Sequence, residues 1–454
     1  MDINPTIFKS YDVRGIYPQD LNEQNIVPII KAIYAYLKPA TLVVGTDMRV
    51  SSPSLTKVAL GTLVELGAKV IDVGVLSTPT FYFSVDHYGY DAGIQITASH
   101  NPKEWNGIKI VKKGPSGLIK IGKSTGLEEI KEMALKGKSL PLTGGGTVVK
   151  KNGILKDEVE NSLKIAGNPQ ISKFKIVADA ANAMGSQYLE ALFKNIPVEL
   201  IRMNFTLDGT FPVHQPDPLQ KETLVDLQKK VISEKADFGL APDGDGDRLF
   251  FIDERGKIVA PTIITSIVAK ELLKKNPGER ILIDIRYILT PKKIIEESGG
   301  KMVITKVGHA YITQAMNKTV GIFAGESSAH YYFRQTGNAE SPMPVILIIL
   351  KVLTETGKTL SQLAEEYRGS FESGEINFKV INGQEIIQEA KNKYRDGRID
   401  TLDGVAVAYP NWRFLLRTSN TEPLLRLTVE SYDQSVMEEK RDELTALIKS
   451  FTKL

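Results

Sequence analysis

The chain has 454 residues, a length that soft priors of roughly 100–200 residues per domain divide into three or four domains. Its 57 basic residues against 54 acidic ones leave a formal net charge of +3, and the isoelectric point of about 8.6 is too mild to point to a nucleic-acid partner. Cysteine is absent, which excludes disulfides, thiolate catalysis and zinc–thiolate sites.

In chain order, the first residues show no apolar segment behind a basic one, so no secretory leader is expected. Residues 22–37 repeat apolar positions at helical spacing, and the β-branched run 41–44 predicts a strand ending in Gly-Thr-Asp-Met-Arg. A helix should follow with Pro53 in its first turn, then a strand at 69–73, another helix and a strand at 93–97. Past the glycines at 144–146 the alternation returns, with strands at 175–179, 198–203 and 236–241 and helices at 185–193 and 221–230. A third round has strands at 280–285, 301–306 and 320–324.

Such alternation predicts parallel or mixed sheets covered by helices. The fold class is therefore α/β: three similar domains with mixed sheets over residues 1–150, 151–255 and 256–369, then a smaller α+β domain over 370–454. That last part shows a helix at 385–394, strands at 404–408 and 424–429, and a closing amphipathic helix; the glycine-bearing connection 369–374 is a candidate hinge. The densest apolar run, 345–350, falls far short of the roughly 20 residues a bilayer span needs. A protein of the reducing cytoplasm, without a membrane partner, is expected.

In open α/β sheets, ligands gather beyond the carboxyl ends of strands, and the unusual residues lie there. After the strand at 236–241 comes D-G-D-G-D-R, in which Asp243, Asp245 and Asp247 alternate with Gly244 and Gly246. Two glycines free the backbone to fold all three carboxylates towards one point, where they would repel one another without a cation. Hard oxygen donors select Mg²⁺ or Ca²⁺. A solvated Asp-Gly turn is one alternative. An EF-hand calcium loop is another, since Glu254 stands twelfth from Asp243, but Arg248 occupies the place of its required glycine and both flanks read as strands.

Three further loops carry candidate chemistry. Thr97-Ala-Ser-His-Asn-Pro102 holds a serine beside a histidine whose adjacency is poor geometry for activating it, so a turn-capping serine is the plainer reading. Gly325-Glu-Ser-Ser-Ala-His330 places an acid, hydroxyls and an imidazole together, a set that suits sugar hydroxyls, and Arg417-Thr-Ser-Asn-Thr-Glu-Pro423 offers charge-assisted and neutral donors for a phosphate. Residues 103–123 contain six lysines against the single acid Glu104, either a solvated loop or a landing zone for anions. Gly117 to Ser124 satisfies the G-x-x-x-x-G-K-S phosphate-loop pattern, with Lys123 as its lysine, but the intervening Leu-Ile-Lys-Ile prefers an extended strand.

Together with Tyr11-Asp-Val-Arg-Gly15, the four loops T-A-S-H-N-P, D-G-D-G-D-R, G-E-S-S-A-H and R-T-S-N-T-E-P occur in one order along the full chain. In this the chain resembles the α-D-phosphohexomutase superfamily, most closely its phosphomannomutase/phosphoglucomutase branch. The resemblance implies a four-domain, heart-shaped enzyme whose domains each lend a loop to a central cleft. It implies that Ser99 carries a phosphate and that Asp243, Asp245 and Asp247 hold Mg²⁺ together with an oxygen of that group. By the same resemblance Arg14, His100 and Arg248 neighbour the phosphoserine and Lys109 is the general acid/base. Glu326 and Ser328, with His330 beside them, read the sugar hydroxyls; Arg417, Ser419, Asn420 and Thr421 bind phosphate; Tyr11, Arg286 and His309 complete the substrate set.

The implied reaction interconverts hexose 1- and 6-phosphates through a hexose 1,6-bisphosphate, which also serves as activator. Ala329 stands where many members have glycine, and residues 337–342 are unusual for the family; both bear on specificity. The wording Ser-Ala-His-Tyr-Tyr-Phe over 328–333 favours mannose and glucose phosphates. A phosphoglucosamine mutase, a non-catalytic calcium-binding module and a nucleotide-dependent phosphate-loop enzyme are the alternatives. The expected partner is a small phosphosugar, with no nucleic acid, and the expected state a monomer or homodimer.

Overall fold

The computed structural model describes residues 3–137, 144–418 and 424–451. It divides into two compact units, one of Met1–Val259 with Ser328–Gln362 and one of Ala260–Ser327 with Leu363–Leu454.

The first unit holds two sheets. Strands β1 (Val13–Ile16), β2 (Leu42–Thr46), β3 (Lys69–Val75), β4 (Ala92–Ile96), β5 (Trp105–Gly114), β6 (Gly117–Lys120) and β7 (Thr147–Lys150) form a sheet ordered β1-β5-β4-β2-β3-β7, with β6 paired to β5. The pairs β4–β2, β2–β3 and β3–β7 are parallel, while β1 and β4 flank β5 antiparallel. Strands β8 (Phe174–Asp179), β9 (Val198–Met203), β10 (Phe238–Pro242), β11 (Leu249–Asp253) and β12 (Ile258–Val259) form the second, ordered β12-β11-β10-β8-β9. Every residue of β2, β4, β10 and β11 is buried, which explains their near-continuous apolar sequences: strands covered on both faces have no polar side to present.

The mixed sheets and covering helices agree with the α/β expectation, and the differences have local causes. The first helix is Ile26–Leu37, not 22–37. Asn22 and Asn25 form a turn ahead of it, the Asn22 amide donating to Asn25 Oδ1 at 2.8 Å. On that helix Ile26, Ile29, Ile30 and Ile33 are buried on one face, at the spacing of an amphipathic helix. Pro53 lies in the first turn of the helix Ser52–Glu65 as expected. The apolar run at 345–350 belongs to the buried helix Pro342–Thr356 of the same unit. No helix of the described residues is long and apolar enough to cross a membrane.

In the second unit, the strand Arg280–Asp284 pairs in parallel with Lys301–Thr305 and Phe323–Gly325. The last of these starts later than the sequence pattern implies, because Val320 adopts a left-handed conformation (φ 56°) that ends the helix His309–Thr319. The C-terminal part is an antiparallel sheet built around Trp412–Thr418 and Leu424–Ser431. Its core includes Trp412, Phe414, Leu425, Leu427 and Ile448. A buried ion pair ties this sheet to the preceding part of the unit: Arg413 Nη1 lies 2.6 Å from Glu430 Oε1 and donates to the Arg286 carbonyl at 3.0 Å. Glu430 in turn accepts the backbone N–H groups of Ile288 (2.8 Å) and Leu289 (3.0 Å).

Candidate active site

The chain leaves β4 at Ile96 into a tight turn in which Ser99 holds φ at 54°, a left-handed conformation uncommon for a residue with a Cβ and concentrated at functional sites. The turn is closed by the Ser99 amide donating to Thr97 Oγ1 at 3.0 Å. From the end of β2, Arg49 reaches beneath it and donates to the carbonyls of Ser99 (2.8 Å), Asn101 (2.6 Å), Pro102 (2.7 Å) and Trp105 (3.0 Å). Asp47 pairs with the Arg49 guanidinium at 3.2 Å. In the sequence pattern the Gly-Thr-Asp-Met-Arg run marks only a strand end; a charged pair at the close of a buried strand is the signal that points to Asp47 and Arg49.

The turn from β10 to β11 carries the three aspartates. Gly244 is required by close approach, since a Cβ there would lie 2.3 Å from the Ser99 carbonyl oxygen, and Gly246 by its φ of +78°. Asp243, Asp245 and Asp247 are each at most 2 % exposed, and their carboxylate oxygens lie within 4.8 Å of one another. The Ser99 hydroxyl donates to Asp245 Oδ1 at 2.8 Å and lies 3.4 Å from Asp243 Oδ2. Thr78, at the start of the helix after β3, donates its hydroxyl to Asp245 Oδ2 at 2.6 Å. From β5, Lys109 Nζ stands 2.7 Å from Asp247 and 3.0 Å from Asp245.

These charges sort themselves by neighbour. Burial, then Asp247 and Asp245, push the Asp243 carboxyl well above its ordinary value. Burial acts the same way on Asp247, but Lys109, His330 and Arg248 outweigh it and hold that carboxyl well below. Lys109 keeps its proton: desolvation opposes the charge, yet Asp245 and Asp247 raise its pKa well above the usual lysine value. His100, with Nδ1 3.2 Å from Ser99 Oγ, is driven well below the usual histidine value by desolvation and then by Arg248 and Arg14. It is a neutral imidazole at neutral pH.

Two arginines and a histidine of this unit approach the same point. Arg14, on β1, donates to Asp12 at 2.9 Å and to Asn101 Oδ1 at 2.6 Å; Tyr11 precedes Asp12 in the bend before β1. Arg248 approaches Asp217 and His330 Nε2, each at 3.4 Å. The His330 ring also stands 3.2 Å from Asp247 Oδ1 and 3.0 Å from Ser328 Oγ. One unit thus brings together Ser99, His100, Lys109, Arg14, Arg248, Ser328, His330 and the three aspartates.

In the second unit, Arg286 lies at the end of its strand and donates to Asp284 at 2.9 Å, with Glu326 3.4 Å away. Glu326 also accepts the Gly308 amide at 3.1 Å, immediately before His309 opens its helix. Arg417 and Arg426 are direct cross-strand neighbours, a like-charge pairing that destabilises unless an acid intervenes. Glu375 supplies that acid, 3.1 Å from Arg417 and 3.0 Å from Arg426. No motif in the sequence singles out Glu375 or Arg426. Ser419, Asn420 and Thr421 lie outside the described residues.

Two motif alternatives end here. The G-x-x-x-x-G-K-S run is the hairpin strand β6 followed by a short 3-10 turn, with Lys120 buried against Glu340 and the Lys123 side chain 68 % exposed. A phosphate loop would instead wrap its amides inward between strand and helix. The aspartate loop joins two antiparallel strands, not the helices of an EF-hand.

Family models for phosphoglucomutase/phosphomannomutase match in succession: α/β/α domain I over residues 5–138, domain II over 157–256, domain III over 261–369 and the C-terminal domain over 375–447. A phosphomannomutase of Escherichia coli is 36% identical, with 98% of this chain and 99% of that protein covered. One of Methanocaldococcus jannaschii is 37% identical over 97% of each. Among solved structures, a phosphoglucomutase/phosphomannomutase family protein from Burkholderia thailandensis superposes with a TM-score of 0.88 at 28% identity, covering 100% of this chain and 99% of that one. The open form of the Paramecium phosphoglucomutase parafusin shares the fold at a TM-score of 0.74 and 17% identity, with 99% and 96% covered.

Proposed function

Because the chain belongs to the phosphoglucomutase/phosphomannomutase family and is thereby a phosphohexomutase, we propose that it interconverts the 1- and 6-phosphates of mannose and glucose through a phosphorylated Ser99. The observation that carries this reading is the Ser99 hydroxyl, in a strained turn, 2.8 Å from one of three buried carboxylates. Lys109 is shared between Asp245 and Asp247, and Arg248 comes no nearer to Asp243 than 4.0 Å, so three buried carboxylates at one point are costly. Their oxygen donors fit a hard divalent ion, so Asp243, Asp245 and Asp247 with an oxygen on Ser99 would hold Mg²⁺. When bound, the ion would offset negative charge on the phosphoryl group in flight.

The chain's own residues account for the rest. Transfer from phosphoserine 99 breaks the bond from phosphorus to Ser99 Oγ and forms one from phosphorus to the free hydroxyl of a hexose monophosphate. The sugar hydroxyl gives up a proton, and Ser99 Oγ regains one. Lys109, held protonated, against desolvation, by Asp245 and Asp247, would give its proton to Ser99 Oγ as the phosphorus–oxygen bond breaks and, once neutral, take up the proton of the sugar hydroxyl. Neutral His100 lies within reach of Ser99 Oγ at 3.2 Å. The product is a hexose 1,6-bisphosphate, which turns over and returns its other phosphate to Ser99. Arg14 and Arg248 supply positive charge where the phosphoryl oxygens gather.

Glu326, Ser328 and His330 serve the sugar hydroxyls in this reading. Arg417 with Ser419, Asn420 and Thr421 grips the phosphate that is not reacting, and Tyr11, Arg286 and His309 complete the substrate contacts. Hexose 1,6-bisphosphate acts as activator by priming Ser99. The relatives named phosphomannomutase support the mannose preference. The four domains run over 1–150, 151–255, 256–369 and 370–454, and the enzyme works in the cytoplasm as a monomer or homodimer. A coupled assay of mannose, glucose and glucosamine 1-phosphates, each with a trace of its bisphosphate, tests the reading: turnover of the first two that disappears in Ser99→Ala supports it, and a preference for glucosamine phosphate overturns the choice of sugar.

A further inference from the structure

Between β9 and the helix Val225–Glu234, the run Asp208-Gly-Thr-Phe-Pro-Val-His-Gln-Pro-Asp-Pro218 lies against both reacting loops. At its start, a Cβ on Gly209 would stand 2.6 Å from Arg49 Cα, and the Phe211 ring lies 5.2 Å from the Arg49 guanidinium. Arg49 is the group that holds the carbonyls of the Ser99 turn. Further along, Gln215 Nε2 donates to the His100 carbonyl at 3.0 Å. The Pro216 carbonyl accepts the Gly244 amide at 3.0 Å, and Asp217 faces Arg248 at 3.4 Å. Three consecutive residues, 215–217, therefore touch the serine turn, the aspartate loop and the arginine that follows it.

One residue pins this segment. His214 Nε2 lies 3.1 Å from Asp179 Oδ2 and Nδ1 lies 2.9 Å from the Gln215 carbonyl. A carboxylate and a carbonyl only accept, so both contacts are hydrogen bonds only when both ring nitrogens carry hydrogen, that is, in the imidazolium. Asp179 closes β8, the strand beside β10, and is itself fixed by the Ala181 amide (3.0 Å) and Asn204 Nδ2 (2.8 Å).

We infer that His214, held between Asp179 and the Gln215 carbonyl, is a positioning residue for phosphoryl transfer, fixing the segment that sets His100, Gly244 and Arg248 in place. The inference rests on the reading of Ser99 as phosphoryl carrier. Of the charged groups around the imidazole, Asp179 comes from β8, Asp226 from the following helix and Asp217 from its own segment, with Arg248 beyond Asp217. The bond to Asp179, helped by the Gln215 carbonyl, outweighs desolvation and raises the His214 pKa above the ordinary value. Both bonds are thus present at low pH, and one is lost as pH rises through the raised pKa.

The test is kcat and KM of the full-length enzyme from about pH 6 to about pH 9 in wild type, His214→Gln and Gln215→Leu. His214→Gln should lower kcat by roughly tenfold or more, the cost of a misplaced reacting group, with KM within about twofold, and should lack an alkaline fall that wild type shows. Gln215→Leu leaves the His214–Asp179 pair intact; it should lower kcat similarly and keep that fall. Wild-type kcat in Gln215→Leu, or a His214→Gln profile that superposes on wild type, overturns the inference. If His214→Gln does not fold, Gln215→Leu decides alone. Ser99→Ala assayed alongside separates the two readings: activity surviving there removes the carrier, whereas a Ser99-dependent enzyme indifferent to these two variants removes only the role of His214.

Discussion

The ammonium of Lys109 stands 2.7 Å from the carboxylate of Asp247; Lys109 lies on β5 of the first sheet and Asp247 in the turn between β10 and β11 of the second. It is a cation built into an anionic pocket, and in the proposed reaction it serves charge balance and proton transfer together. Lys109→Met should therefore lower kcat by on the order of 10²–10⁴, the usual span of a general acid/base contribution. It should also leave buried carboxylates uncompensated, so the variant should unfold at lower temperature without added Mg²⁺ and recover part of the loss with it. Differential scanning calorimetry with and without the ion checks the second outcome.

Asp245 accepts from Ser99 and Thr78 and faces Lys109. Asp245→Asn keeps the shape while removing one negative charge, so the fold should survive and turnover should fall by on the order of 10²–10³, as when a group that stabilises a transition state is removed. Chelation of divalent ions should abolish wild-type activity reversibly. Full activity in Asp245→Asn, with the circular dichroism spectrum unchanged, would remove the ion from the mechanism.

Glu158, on the helix Ile154–Ala166, is 1 % exposed, and no hydrogen-bond partner is found for its Oε2 among the described residues. Burial pushes its carboxyl from 4.5 up to about 7, with Thr80 offsetting a part. The folded state then binds this proton more tightly than the unfolded chain, so stability falls as pH rises from 4.5 to about 7 and is level above that. Glu158→Gln should flatten the fall, a difference of about 1–3 kcal/mol across the window. Urea melts at both ends of that window read it directly.

How far the sequence told this in advance depends on where the information lay. The convergence of the aspartates was legible because two glycines within a three-acid run, next to an apolar strand, have little other use; Ser99, a plain turn cap in its own hexapeptide, stood out only through the resemblance carried by five loops together. Glu375 and His214 were not legible, and Arg49 showed only as half of a charged pair at a strand's end. Their meaning comes from partners far along the chain: Arg49 holds a carbonyl 50 residues away, and Glu375 separates two arginines that only strand pairing sets opposite each other. Strand and helix types followed the apolar periods, while ends moved where a side chain capped a turn, as at Asn22, or where Val320 turned left-handed. That residues 328–362 pack with the first unit could not be read from local pattern, because long-range packing leaves no periodic trace.

Arg413 and Glu430 are a buried pair whose partners include the carbonyls of Ile285 and Arg286. Removing one member strands the other, and Glu430→Gln should cost about 3–5 kcal/mol. Replacing both with apolar residues of similar volume should cost less than the two single changes together, although the backbone groups of Ile285, Arg286, Ile288 and Leu289 lose their partners. Chemical denaturation of the two single variants and the double variant completes the cycle; a double variant as weak as the sum of the singles contradicts the coupling.

The central claim is that one serine hydroxyl stores the phosphoryl group between the two halves of the reaction. Intact-mass spectrometry of the purified enzyme, before and after incubation with a hexose 1,6-bisphosphate and Mg²⁺, tests it most directly. The account predicts a species heavier by one phosphoryl group that increases with bisphosphate, maps to Ser99 and is absent from Ser99→Ala. An enzyme that interconverts hexose 1- and 6-phosphates at full rate while Ser99 stays unmodified would contradict it.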